Sequence, residues 1–120
     1  MTRSREEEAL EQWETQLRKG LLGLAVLAAL WRSRLYGLEL LKHLEGSALV
    51  VSEGTIYPLL NRLRAEGLVV AEWVESSAGP PRKYYALTPL GRSRVRAMAH
   101  AWERCSTALD GLLKLTAEEA

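Results

Sequence analysis

Residues 51–73, VSEGTIYPLLNRLRAEGLVVAEW, decide the fold. Ser52 suits a helix N-cap, because its hydroxyl can accept a hydrogen bond from an otherwise unpaired backbone N–H. The pattern predicts a helix from there to about Glu66, with Gly67 ending it. Ile56, Leu60 and Leu63 share one face, with Leu59 beside them. The opposite side presents only Gly54, Thr55, Pro58, Asn61, Arg62 and Ala65, with Tyr57 toward one edge. Pro58 lacks an N–H, so its bond to the Gly54 carbonyl is lost, a defect a helix tolerates this early. After Gly67 the chain turns rich in β-branched and aromatic residues.

Downstream, LVVAEWVE and RKYYALT flank SSAGPP, whose Gly and Pro mark a turn. They predict a β-hairpin with a long tip. Thr88 followed by Pro89 is an N-cap followed by the residue best suited to the first helical position. The last helix is expected to reach about Leu115, with TAEEA fraying. Upstream, LYGLELLKHLEG carries a stripe of Leu38, Leu41 and Leu44 and a stop at Gly46. GLLGLAVLAALWRS is apolar nearly all round, as in a helix buried on more than one side. Leu10, Trp13 and Leu17 sit at helical spacing in a charged segment over residues 5–18. The expected order is four helices, a hairpin and a final helix.

This order divides into an N-terminal amphipathic helix over residues 1–19, a DNA-binding domain over 20–87 and a C-terminal dimerisation helix over 88–116. The fold expected is mainly α with a small β-hairpin: a winged helix-turn-helix flanked by N- and C-terminal dimerisation helices. The face of the 52–66 helix opposite its leucines is free of bulk. Gly54 and Thr55 let its positive end approach another surface, and Asn61 and Arg62 can hydrogen-bond base edges or phosphates. Arg82 and Lys83, placed at the hairpin tip, can reach the flanking backbone or the minor groove. The bland alternative is an ordinary amphipathic helix with a solvated face.

Charge and composition narrow the classes. The formal net charge is +1, so overall charge indicates no partner, but Arg92, Arg94, Arg96 and Arg104 cluster against Glu103. The longest apolar run, Leu21 to Trp31, is about half of the ~20 residues a membrane-spanning helix needs. Cys105 is the only cysteine, so no intrachain disulfide forms. A cytoplasmic protein with no membrane partner is expected. His43 and His100 are the only histidines. No phosphate loop, metal-ligand spacing or nucleophile elbow accompanies them, so neither catalytic residues nor a metal or cofactor is expected. A protein-interaction module without DNA binding remains the alternative function.

SEGTIYPLLNRLRAEGLV together with GPPRKYYALTPLG resembles the PadR family of bacterial transcriptional regulators, and the likeness extends over roughly residues 17–113. It implies a homodimeric repressor on double-stranded DNA at an inverted-repeat operator, with a recognition helix in the major groove and a wing on the backbone. Carried over by position, the DNA-facing residues are Ser52, Gly54, Thr55, Tyr57, Pro58, Asn61 and Arg62. Tyr36, beside Gly37, either touches phosphate or packs. Gly79, Pro80, Arg82 and Lys83 belong to the wing.

Val95, Met98, Trp102, Cys105, Leu109 and Leu112 are spaced 3, 4, 3, 4 and 3 apart, a heptad seam suited to helix pairing. Leu10, Trp13 and Leu17 are expected to cover the partner's last helix; packing within one subunit is the alternative. The resemblance also implies a site for a flat aromatic effector between Trp102, Met98, Cys105 and Trp13, against the plainer reading that Trp102 fills the dimer core. A redox role for Cys105 has little support, since free cysteines are usually buried hydrophobes.

Overall fold

A computed structural model describes residues 2–119. Helix α1 spans Arg5–Ala29, strand β1 Leu35–Tyr36, helix α2 Gly37–Leu44 and helix α3 Glu53–Ala65. Strands β2, Val69–Ser76, and β3, Gly79–Leu87, follow, then helix α4, Pro89–Glu119. The architecture is mainly helical, with a three-stranded antiparallel sheet in the order β1-β3-β2.

The two N-terminal helices expected separately are one helix of 25 residues. Ser4 caps it by accepting from the Glu7 N–H at 3.1 Å, and Glu6, Glu7 and Glu8 complement the positive end of its dipole. Gly20 does not break it. A mid-helix glycine costs only about 1 kcal/mol, and burial of Leu22, Val26 and Leu27 a turn or two later outweighs that. The boundary drawn after residue 19 therefore falls inside α1.

The core is formed by Leu22, Val26, Leu27 and Leu30 of α1, Leu40 and Leu44 of α2, and Ile56, Leu59, Leu60 and Leu63 of α3, closed by Leu68, Val69 and Tyr85. All four apolar residues assigned to the inner face of α3 are buried. The stripe expected on α2 is shifted. The helix starts at Gly37, so Leu40 and Leu44 point inward while Leu38 is exposed.

Helix α3 ends as a Schellman turn. Gly67 adopts φ +79°, where a Cβ is disfavoured, and the Leu68 N–H reaches back to the Leu63 carbonyl at 3.0 Å. The Thr88 hydroxyl donates to the Gly67 carbonyl at 2.6 Å and accepts from the Gly91 N–H at 3.0 Å. One side chain thus caps α4 and ties its start to the end of α3. Helix α4 continues through Glu119, past the Leu115 expected to end it.

The hairpin turn is short. Only Ser77 and Ala78 lie between the strands, so Pro80 and Pro81 fall within β3, where the register slips between Val74 and Ser76. Prolines donate no ladder bond and sit at such irregularities or on open edges. Beyond Tyr84, β3 has no partner on its β1 side, which leaves that edge open over residues 79–83.

Candidate nucleic-acid interface

The outer face of α3 is set by its inner one. Because Ile56, Leu59, Leu60 and Leu63 are buried, Ser52, Gly54, Thr55, Tyr57, Pro58, Asn61 and Arg62 all lie on the exposed side. Ser52 does not cap with its hydroxyl as expected. Its Oγ lies 3.3 Å from the Thr55 Oγ1, while its carbonyl accepts from the Thr55 and Ile56 N–H groups at 3.1 Å each. The two hydroxyls satisfy each other at the positive end of the helix.

Tyr57 is held, not free. Its phenol lies against the start of α2, where a Cβ on Gly37 would overlap the ring, with Cε1 and Cζ at 2.7 Å. Gly37 is therefore glycine because an aromatic ring occupies the space a side chain would take. Behind Tyr57, burial raises the Tyr85 phenol above its ordinary value of 10.0; Tyr57 adds to the shift and Arg64 opposes it.

Arg82 and Lys83 are not at the hairpin tip. They pair in the strand with Val74 and Trp73, because the turn is two residues long and the prolines lie inside β3. Successive strand residues face opposite sides of the sheet. Lys83 lies over Trp73 and Tyr85, with Nζ 5.8 and 5.9 Å from the ring centroids. Arg82 lies over Tyr36, 4.6 Å from its centroid. Tyr36 meets Tyr84 edge-on at 5.4 Å, and Arg34 covers Tyr84 at 4.8 Å while standing 3.6 Å from Glu72. Tyr36 is a half-buried rung in a cation–aromatic stack that joins the wing to the start of α2.

Two groups next to α3 were missed from sequence. Arg18 and Lys19 of α1 line a cleft with Ser52 and Thr55, and Lys19 lines a second with Pro58 and Arg62. Their only signal was a basic pair just after Leu17. On the wing side, Trp73 stands 68% exposed. The outer face of α3 is thus bordered by cations on both flanks.

Comparison with known proteins identifies this arrangement. The sequence profile described as "Transcriptional regulator PadR-like family" matches residues 26–97, more than half of the chain. The chain belongs to the PadR-like family of transcriptional regulators. The crystal structure of a PadR family regulator from Eggerthella lenta is similar to it with a TM-score of 0.79 and 32% identity, over 89% of this chain and 94% of that one. A PadR-like regulator from Bacillus cereus is similar with a TM-score of 0.74 and 37% identity, over 82% and 96%. A transcriptional regulator of Mycobacterium tuberculosis is 37% identical over 59% of this chain, and the match spans 65% of its own length. PadR-like proteins are transcriptional regulators, not enzymes, in agreement with the lack of catalytic motifs in the sequence.

The helices that flank this PadR-like winged helix leave apolar surface uncovered. Leu10, Trp13 and Leu17 of α1 are exposed, Trp13 by 60%. On α4 the heptad seam divides. Val95 and Met98 are half-buried against the chain's own core, because this part of the helix packs under α1 and the sheet. From Trp102 onward the seam is open: Trp102, Cys105, Leu109 and Leu112 are exposed. The exposed part of this stripe begins at Trp102, about two turns beyond Val95. Of the residues expected around an effector, Met98 serves the core while Trp13, Trp102 and Cys105 face outward. No helix among the described residues is long and apolar enough to cross a membrane.

Proposed function

We propose that this regulator is a cytoplasmic repressor that binds an inverted-repeat operator in double-stranded DNA as a homodimer. One observation carries the reading. The unobstructed face of α3 is bordered by Arg18 and Lys19 on one flank and by Arg82 and Lys83 on the other, the layout needed for base edges in the middle and phosphates on both sides. Asn61, Thr55 and Arg62 are the candidates for base contact, and Ser52 and Gly54 allow the helix end to approach a phosphate. The dimer is supported by the open apolar stripes on α1 and α4. The repressor sign rests on the resemblance alone. A flat aromatic effector between the two copies of Trp102, bordered by Cys105 and Trp13, is part of the same reading; tryptophan fluorescence against a panel of planar aromatics tests it.

Selection of bound duplexes from a random pool, followed by gel shift at rising salt, tests DNA binding. A regulator contacting several phosphates loses roughly 10³–10⁵ in affinity between 50 and 200 mM salt. Failure to enrich any sequence, with salt-independent binding to another protein, would favour the protein-interaction module instead. Transcription from a promoter carrying the selected site, with and without the protein, tests repression.

A further inference from the structure

A cleft of about 630 Å³ lies where the end of α1, the end of α2 and the first half of α4 meet. It shares no lining residue with the α3 face, the wing or the open seam from Trp102 onward. Small side chains make its room: Ala28, Ala29 and Ala99 leave space beside the half-buried indole of Trp31. Positive charge gathers on the same ring. Arg92 and Arg96, one turn apart on α4, lie over Trp31 at 4.9 and 5.4 Å from its centroid, and Arg32 stands in the lining beside it. The lining holds no carboxylate. The ion pairs among the described residues engage Arg3, Arg18 and Arg34, not Arg32, Arg92 or Arg96. An indole attracts a guanidinium through its π face, but two on one ring repel each other, and a third adds to the repulsion. The cluster lacks an anion.

We infer that this cleft is a binding site for a small phosphate ester that carries a flat ring, a mononucleotide. Charge selects the phosphate. A carboxylate brings one negative charge to three guanidiniums. A phosphate monoester brings about −1.5 to −2 and three acceptor oxygens, which guanidiniums meet two at a time. Shape selects the ring. The space beside Trp31 suits a planar body, and Ser33 and His43 offer hydrogen-bonding groups to its edge. Free phosphate would leave that space and those groups unused. The site's position gives it a consequence, which rests on the DNA-binding reading. Arg32 follows α1, whereas Arg92 and Arg96 belong to α4, the helix that carries the proposed dimer seam. A phosphate held by both sides fixes the angle of α4 to the winged helix, and with it the spacing of the two recognition helices.

Calorimetric titration of the wild-type protein, without DNA, with each of the four ribonucleoside 5′-monophosphates tests the site. At least one is expected to bind saturably, tenfold or more tighter than its nucleoside, inorganic phosphate or benzoate. Arg32→Gln and Arg96→Gln are each expected to weaken that binding about 10- to 100-fold, the loss of a charged hydrogen bond. Lys114→Gln, much further along α4, is expected to leave it unchanged. All three replace exposed side chains, and circular dichroism shows that each variant is folded. Absence of binding, equal binding of inorganic phosphate or benzoate, or binding that neither arginine variant weakens overturns the site. The nucleotide and the selected duplex are expected to change each other's affinity by one common factor, about 5- to 150-fold. Nucleotide binding with unchanged duplex affinity overturns the coupling and leaves the site standing. Failure of the wild-type protein to bind any duplex brings down the DNA reading and the coupling together, while the calorimetry still decides the site.

Discussion

The contact between Gly37 and Tyr57 shows how one missing methyl group sets a surface. Glycine at the first position of α2 is a poor choice by propensity, since alanine favours a helix by about 1 kcal/mol. Here the preference is reversed by the phenol ring lying where the Cβ would be. Gly37→Ala is expected to destabilise the protein by about 1–3 kcal/mol through overpacking, measured as a lower midpoint in urea. In a Tyr57→Ala background the same change should become neutral or slightly stabilising. The difference between the two backgrounds should fall within the ~0.5–3 kcal/mol typical of residues in contact. An equal cost in both would mean that the backbone, and not the ring, demands glycine.

In the proposed reading, helix and wing divide their labour, and each element tests the other. Asn61 stands exposed in the middle of the α3 face, and Lys83 is a half-buried member of β3. Asn61→Ala is expected to relax preference at one base position by about 1–3 kcal/mol per half-site. Lys83→Ala is expected to weaken all sequences nearly equally and to flatten the salt slope by about one unit per lost phosphate contact. Its stem also packs on Trp73 and Tyr85, so circular dichroism should accompany the measurement. A change in base preference from Lys83→Ala alone would exchange the two roles. How much of these elements could be read from sequence follows from where periodicity speaks. The buried face, cap positions and glycine stop of α3 were legible because a helix repeats its signal over several turns. Strand β1 was not: two residues carry no period, and only their pairing with Tyr84 and Tyr85 makes them a strand. The basic pair was misplaced because Pro80 and Pro81 read as a turn, whereas an open strand edge accepts prolines at no cost in ladder bonds. Arg18, Lys19 and Trp73 were overlooked because their meaning lies in proximity to α3, which no spacing along the chain encodes.

At the scale of the whole molecule, the chain measures 59 × 41 × 22 Å, elongated because α4, with 31 residues, runs on well beyond the core. Its outer half carries Trp102, Leu109, Leu112, Leu113 and Leu115, all exposed by about half or more, and the start of α1 carries Leu10 and Trp13 in the same state. Stripes of this kind on two helices are costly for a monomer and natural for a two-fold interface. Trp102→Glu combined with Leu109→Glu would place two charges from each subunit in the proposed interface, at a cost of several kcal/mol. Because neither residue belongs to the core of the single chain, the variant is expected to keep its helical circular dichroism and to sediment as a monomer. Val95→Glu makes the contrast: Val95 packs on the chain's own core, so that change should unfold the protein and not merely dissociate it. The monomeric variant should still recognise one half-site but lose the gain from linking two, which for tethered sites reaches roughly 10²–10⁴-fold. The wild-type protein should select inverted repeats whose centres lie about 34 Å apart, one helical turn, on one face of the duplex. A variant that remains dimeric would remove the seam from this account. A variant that becomes monomeric yet binds the full operator as tightly as before would show that the two recognition helices never act on DNA together.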